Sequence, residues 1–193
     1  MPARAGLYIP ADCAIPTPVN EPVPKPRPST REAAEPAPAI YVFPDVLEEL
    51  RFNAGWRDDR MAGGLLAGRR FLDPDTRAPY IEVEGFLAGT HVVDVGEFSR
   101  YLRVQWKAAT AGLTYHFSGA EIVGWYLGVP DEERRPGPDE VALHETFFSQ
   151  PWQRGLWVPA RGRPVALAVA GGTFTPEVAV ALERAEVAEA TGT

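Results

Sequence analysis

Proline decides where this chain can fold. Half of its 20 prolines lie before residue 39, from Pro2 to Pro38. The alternation Pro22, Pro24, Pro26, Pro28 removes backbone donors and fixes φ, which blocks helix and favours extended polyproline II. Large apolar side chains are scarce over the same stretch, so burial cannot offset the entropy of ordering it. Residues 1–38 are therefore expected to form a disordered Pro-rich linker or tail; the alternative is a docking peptide that orders on a partner, with Leu7, Tyr8 and Ile9 as its anchor. The packed domain is expected over residues 39–175, and 176–193 as a C-terminal helix or tail.

Within the domain the hydrophobic periods alternate. Ile40–Phe43 reads as a strand, and Pro44 opens a helix on which Val46, Leu47 and Leu50 share a face and Gly55 is the stop. Gly63-Gly64-Leu65-Leu66-Ala67-Gly68 is an apolar run between glycines, the pattern of a buried strand. Tyr80–Phe86 alternates as a half-buried strand does. Phe98, Leu102, Trp106 and Ala109 form one stripe on a helix that Gly112 is expected to end. Glu121–Val129 is a strand, and Pro138 sits in the first turn of a helix carrying Val141, Leu143, His144, Phe147 and Phe148. Strands follow at 155–159 and 164–170, then an Ala/Glu-rich helix from Glu177 to Ala190. The result is an α/β or α+β sandwich.

Composition narrows the function. A net charge of −7 without a Lys/Arg-rich run speaks against nucleic acid as a partner. No stretch approaches the roughly 20 apolar residues that cross a bilayer, and prolines interrupt any signal-peptide core, so a cytoplasmic protein is expected. Heavy use of Ala, Gly, Pro and Arg suggests a bacterial, GC-rich source. Cys13 is the only cysteine, which excludes an intramolecular disulfide and a cysteine-based zinc site. The histidines His91, His116 and His144 have no ligand-like spacing. The first two are expected in loops and the third as a packing side chain. The segment Asp131-Glu132-Glu133-Arg134-Arg135-Pro136 is expected as a solvated loop, with a partner-facing loop of mixed charge as the alternative.

Four pieces occur in one order: Val46-Leu47-Glu48-Glu49-Leu50, Gly63–Gly68, Val123-Gly124-Trp125-Tyr126, and His144-Glu145-Thr146-Phe147-Phe148-Ser149-Gln150-Pro151-Trp152. Together they resemble the JAB/MPN (JAMM) family over roughly residues 40–170. The resemblance implies a curved mixed β-sheet flanked by helices on both sides. In active members a His-x-His pair on a strand and an Asp hold zinc, the fourth position holds water, a Glu takes its proton and a Ser steadies the oxyanion.

This chain departs at every such position. Leu127 and Val129 stand for the two histidines, Gly137 for the serine, Glu140 for the aspartate and Met61 for the general base. A lone carboxylate does not hold zinc against water, so no metal, no cofactor and no catalytic residue is expected. Leu127, Val129 and Met61 should fill the old metal cavity as ordinary core. Members without the metal motif act as structural partners, which implies a non-catalytic scaffold or adaptor pairing with itself or a related MPN-like subunit. A pseudoenzyme binding a ubiquitin-like protein or peptide tail is the alternative, and an enzyme with rebuilt chemistry a third. Of the five tryptophans, Trp106 and Trp152 lie on or beside predicted helices and are candidate interaction anchors.

Overall fold

The computed structural model describes residues 7–8, 39–55, 59–72, 77–116, 119–130 and 134–181. The expectations for the remaining tail residues, including Ile9, and for 182–193 lie outside the described residues. In chain order the elements are β1 (Leu7–Tyr8), β2 (Ala39–Val42), α1 (Pro44–Gly55), β3 (Met61–Leu72), β4 (Pro79–Val92), α2 (Val95–His116), β5 (Glu121–Val129), α3 (Pro138–Phe147), β6 (Arg154–Pro159), β7 (Val165–Ala170), β8 (Thr173–Val178) and β9 (Val180–Ala181). No helix among the described residues is long and apolar enough to cross a membrane.

All the strands join one sheet in the order β8-β7-β6-β5-β3-β4-β2-β9, with β1 on the edge of β4. It is mixed: β2 runs parallel to β4 and to β9, and β5 parallel to β6. A parallel pair needs a crossover, and α3 supplies it between β5 and β6. The order also dictates curvature. Strands β8 and β9 stand at opposite ends of the sheet, yet only Ala179 separates them in sequence. A flat sheet would hold those ends about 34 Å apart at ~4.8 Å per strand step, which one residue cannot span. The sheet must curl until its ends meet.

Each face has its own core. Helix α1 lays Val46, Leu47 and Leu50 against Leu66, Ile81, Val83, Tyr126, Leu156 and Val158. Helices α2 and α3 place Phe98, Leu102 and Leu143 against Leu65, Trp125, Leu127, Val129 and Trp157 on the other face. Burial on both sides explains why β5 is buried without a break from Val123 to Val129. Two glycines set the approach of the helices. A Cβ on Gly63 would meet the Phe98 ring at 2.7 Å, and one on Gly128 would meet the Ala54 Cβ of α1 at 2.5 Å.

Three expectations change. Gly112 does not end α2, which continues to His116. Burying Leu113, packed with Ala67, is worth about 1.5–3 kcal/mol against roughly 1 kcal/mol for a glycine inside a helix. The helix from Glu177 is not formed over 177–181. Those residues belong to β8 and β9, because Gly171 and Gly172, both at positive φ, turn the chain back so that Thr173–Val178 pairs along β7. His91 is not in a loop but in β4 opposite Ala62, and His116 closes α2.

The glycine contact at α1 gives a test. Gly128→Ala forces a methyl onto the α1 backbone and should lower stability by about 1–3 kcal/mol in urea denaturation. Gly55→Ala, where a Cβ would have nothing within 4 Å, should not cause that loss. Equal effects of the two would show that α1 is not seated through Gly128.

Candidate functional site

The positions singled out in the sequence meet at the ends of β3 and β5. These strands pair antiparallel with Ala62 opposite Gly128 and Gly63 opposite Leu127, which brings Met61 beside Val129. Strand alternation sends Leu127 and Val129 to the face covered by α2 and α3. There they join Met61, Leu143 and Trp157 in one cluster, with Leu127 and Val129 both fully buried. Met61, Leu127 and Val129 are all buried core residues.

Glu140 breaks the apolar pattern. It lies in the first turn of α3 and is only 3% exposed. One of its oxygens, Oε2, accepts the backbone N–H of Gly137 at 2.8 Å, and the other, Oε1, accepts Nη2 of Arg134 at 2.9 Å. The other end of the same guanidinium donates to the sulfur of Met61, and its carbon stands 5.7 Å from the Trp157 ring centre. One cationic group therefore joins Met61 and Glu140, which the resemblance sets against the general base and the aspartate ligand of active members. This corrects the solvated-loop expectation for Arg134, whose side chain is only 32% exposed; Asp131, Glu132 and Glu133 lie outside the described residues.

The physical reason is the carboxylate. An ionised group in an apolar cluster needs a counter-charge and hydrogen bonds, and a charge-assisted guanidinium contact supplies both. Gly137 has no side chain to offer and contributes its backbone N–H alone. Among the described residues, no group of three or more His, Cys, Asp and Glu side chains is placed to hold a metal ion. The sequence signal for Arg134 was present: a single acid amid apolar replacements, with two arginines five and six residues upstream.

His144 sits one turn further along α3 and is 5% exposed. Its Nδ1 accepts the indole N–H of Trp125 at 3.0 Å, so the neutral ring carries its proton on Nε2. Phe148 and Phe174 pack around it. Burial first, and the positive charge of Arg154 second, push its pKa down from 6.5 to about 4. Next to it, Arg154 is 1% exposed and donates through Nη1 to the carbonyls of Pro151 and Gln153 at 2.8 Å each. These bonds fix the turn that leads α3 into β6.

The candidate interaction residues are dispersed. Trp106 is half-buried, 5.8 Å from the Phe147 ring and 5.7 Å from that of Phe148. Trp152 is half-buried against the α1-side core with the Arg70 guanidinium 4.2 Å over its ring. Leu7 and Tyr8 form β1, paired antiparallel with Leu87 and Phe86. Among the described residues, the large apolar side chains most open to solvent are others: Phe52, Val93, Val104 and Tyr115.

No family model matches the chain, and no curated protein matches it. Solved structures similar to it include the following two. One is a protein of Desulfitobacterium hafniense, 21% identical, with 76% of this chain and 95% of that one covered at a TM-score of 0.46. The other is from Salinibacter ruber, also 21% identical, with 75% and 92% covered at a TM-score of 0.49.

Two measurements check this geometry. Arg134→Ala leaves the Glu140 carboxylate buried without its cation and should cost about 1–3 kcal/mol, the partial exposure of Arg134 keeping it below a fully buried pair. Glu140→Gln should recover much of that loss in the double variant, and a coupling energy near zero in the cycle would mean that the two side chains act apart. For His144, the unfolded chain binds a proton between pH 4 and 6.5 that the folded chain does not. Stability should be full above about 6.5 and fall as pH drops toward 4, by at most about 1.4 kcal/mol per pH unit. His144→Gln should flatten that slope in denaturation curves taken across the window.

Proposed function

We propose that this chain is a non-catalytic protein of the JAB/MPN type, its zinc site lost, that acts as a scaffold or adaptor by associating with another protein. The observation behind this reading is convergence. Met61, Leu127, Val129 and Glu140 are separated by up to 79 positions in the sequence, and the resemblance assigns each to the same lost site. Met61, Leu127 and Val129 share one cluster, and a single guanidinium spans Met61 and Glu140. That meeting supports the reading.

The chemistry of the replacements supports absence of hydrolysis. Metal-assisted cleavage needs several ligands, an open coordination position and a base for the water. Two aliphatic side chains and a thioether offer no such set, and the one carboxylate is engaged on both oxygens. A second reading, a pseudoenzyme binding a ubiquitin-like or extended peptide tail, draws on β1. Leu7–Tyr8 adds antiparallel to the edge of β4, so that edge accepts an extended segment.

Purified protein should contain no stoichiometric zinc and cleave neither isopeptide nor peptide bonds. Elemental analysis and a cleavage assay before and after chelation check this. One equivalent of zinc, whose removal lowers the melting temperature, would overturn the reading. Binding of an extended peptide by a variant lacking residues 1–38, but not by the full chain, would put the tail-binder first.

A further inference from the structure

Strand β4 is paired with β3 along one whole side. On its other side β2 covers Tyr80–Val83 and then leaves the sheet, because Pro44 opens α1. Beyond Val83, the only pairing on that side among the described residues is Leu7 opposite Leu87 and Tyr8 opposite Phe86. An open row of N–H and C=O groups on a long strand is a template for any extended chain that reaches it.

Two bulges limit that template. The register of β3 with β4 shifts between Ala67 and Gly68 and again between Gly63 and Gly64, which leaves Glu84 and Gly89 without an opposite residue. A bulge bends its strand, so a straight strand added from outside follows β4 only over Gly85–Ala88. Leu7 and Tyr8 pair at the centre of that stretch. Phe86 belongs to the α1-side core and Leu87 packs on the opposite face, so the best occupant is apolar on both faces. Leu7-Tyr8-Ile9 is the only run of consecutive large apolar residues before residue 39, and Pro10 has no N–H with which to extend a ladder. Slot and segment match in length and in chemistry.

The tether makes the contact reversible. Tyr8 stands opposite Phe86 and Ala39 opposite Tyr80, which are about 20 Å apart along β4. The connecting residues, 9–38, extend to as much as roughly 100 Å. Such a chain reaches the slot without being stretched, and it holds the segment there at a local concentration on the order of millimolar. A two-residue bridge is short enough to let go.

We infer that Gly85–Ala88 of β4 is a docking slot for a short apolar strand, and that the chain's own Leu7–Tyr8 fills it as a releasable strap. A second extended apolar segment binds there by displacing the strap. This rests on the reading in which the β4 edge accepts a peptide, and it names how that edge is regulated.

In a Cys13→Ser background, the Leu7→Cys/Leu87→Cys chain should close a disulfide within one chain, because directly opposed strand residues stand at disulfide distance. Leu7→Cys/Val93→Cys should close roughly tenfold more slowly, since position 93 lies beyond the end of β4. A labelled peptide carrying residues 5–12 is the probe for the slot. By fluorescence anisotropy, the full chain with Leu7→Pro and Tyr8→Pro should bind it about threefold more tightly, or better, than the natural chain. The oxidised cross-linked chain should bind none until it is reduced. A disulfide that forms only between chains, or peptide binding that ignores the proline pair or the cross-link, would overturn the strap and leave the peptide-binding reading standing. No peptide bound by any of these chains would remove the slot and that reading together, with the scaffold reading untouched.

Discussion

The antiparallel pairing of β3 with β5 is the contact on which the remainder of the molecule rests. These strands run through the middle of the sheet, and each is walled by helices on both faces. Their register decides which residues of β5 face α1 and which face α2 and α3, and a slip of one residue would exchange the two sets. Glycines keep that arrangement close: Gly63 admits the Phe98 ring and Gly128 admits Ala54. The same register brings Met61 to the end of β5, so the candidate site is a consequence of sheet pairing.

Once that end of the sheet is apolar, one acid determines what surrounds it. Glu140 cannot face an apolar cluster as a bare anion, and it cannot reach water at 3% exposure. Arg134 folds back over Met61 and Trp157 to meet it, and the backbone of Gly137 takes its other oxygen. The guanidinium places a permanent positive charge beside the carboxylate with its donors fixed in a plane. A few residues on, Trp125 and His144 follow the same rule with neutral groups: the buried indole N–H is satisfied by a ring nitrogen that burial keeps unprotonated. Both contacts pin α3 over the sheet, one at its start and one near its end.

Much of the domain was legible in the sequence because two-sided burial leaves a simple signal. Runs such as Gly63–Gly68 and Val123–Val129 are apolar without alternation, and the stripes of α1 and α2 have helical spacing. The errors fell where local preference and long-range pairing disagree. Glu177–Ala181 holds helix formers, yet the Gly171-Gly172 turn brings Glu177 and Val178 to β7, and Val180 and Ala181 pair with β2. Gly112 is a poor helix residue, yet the burial of Leu113 outweighs it. Arg134 sits in a charged run that resembles a solvated loop, and its role depends on a carboxylate six residues away that only the fold buries.

The sequence by itself determined which strands would be covered on both faces, and that Met61, Leu127 and Val129 are apolar, because hydrophobic period acts locally. Only the tertiary structure decided that the sheet curls until β8 and β9 lie at its two meeting ends, since strand order is a matter of which distant edges find each other. It alone also decided that the lone acid is answered by Arg134, and that Val104 and Tyr115 stand in solvent while Trp106 and Trp152 are half-buried. Side-chain chemistry fixes what a residue requires. Packing fixes which neighbour supplies it.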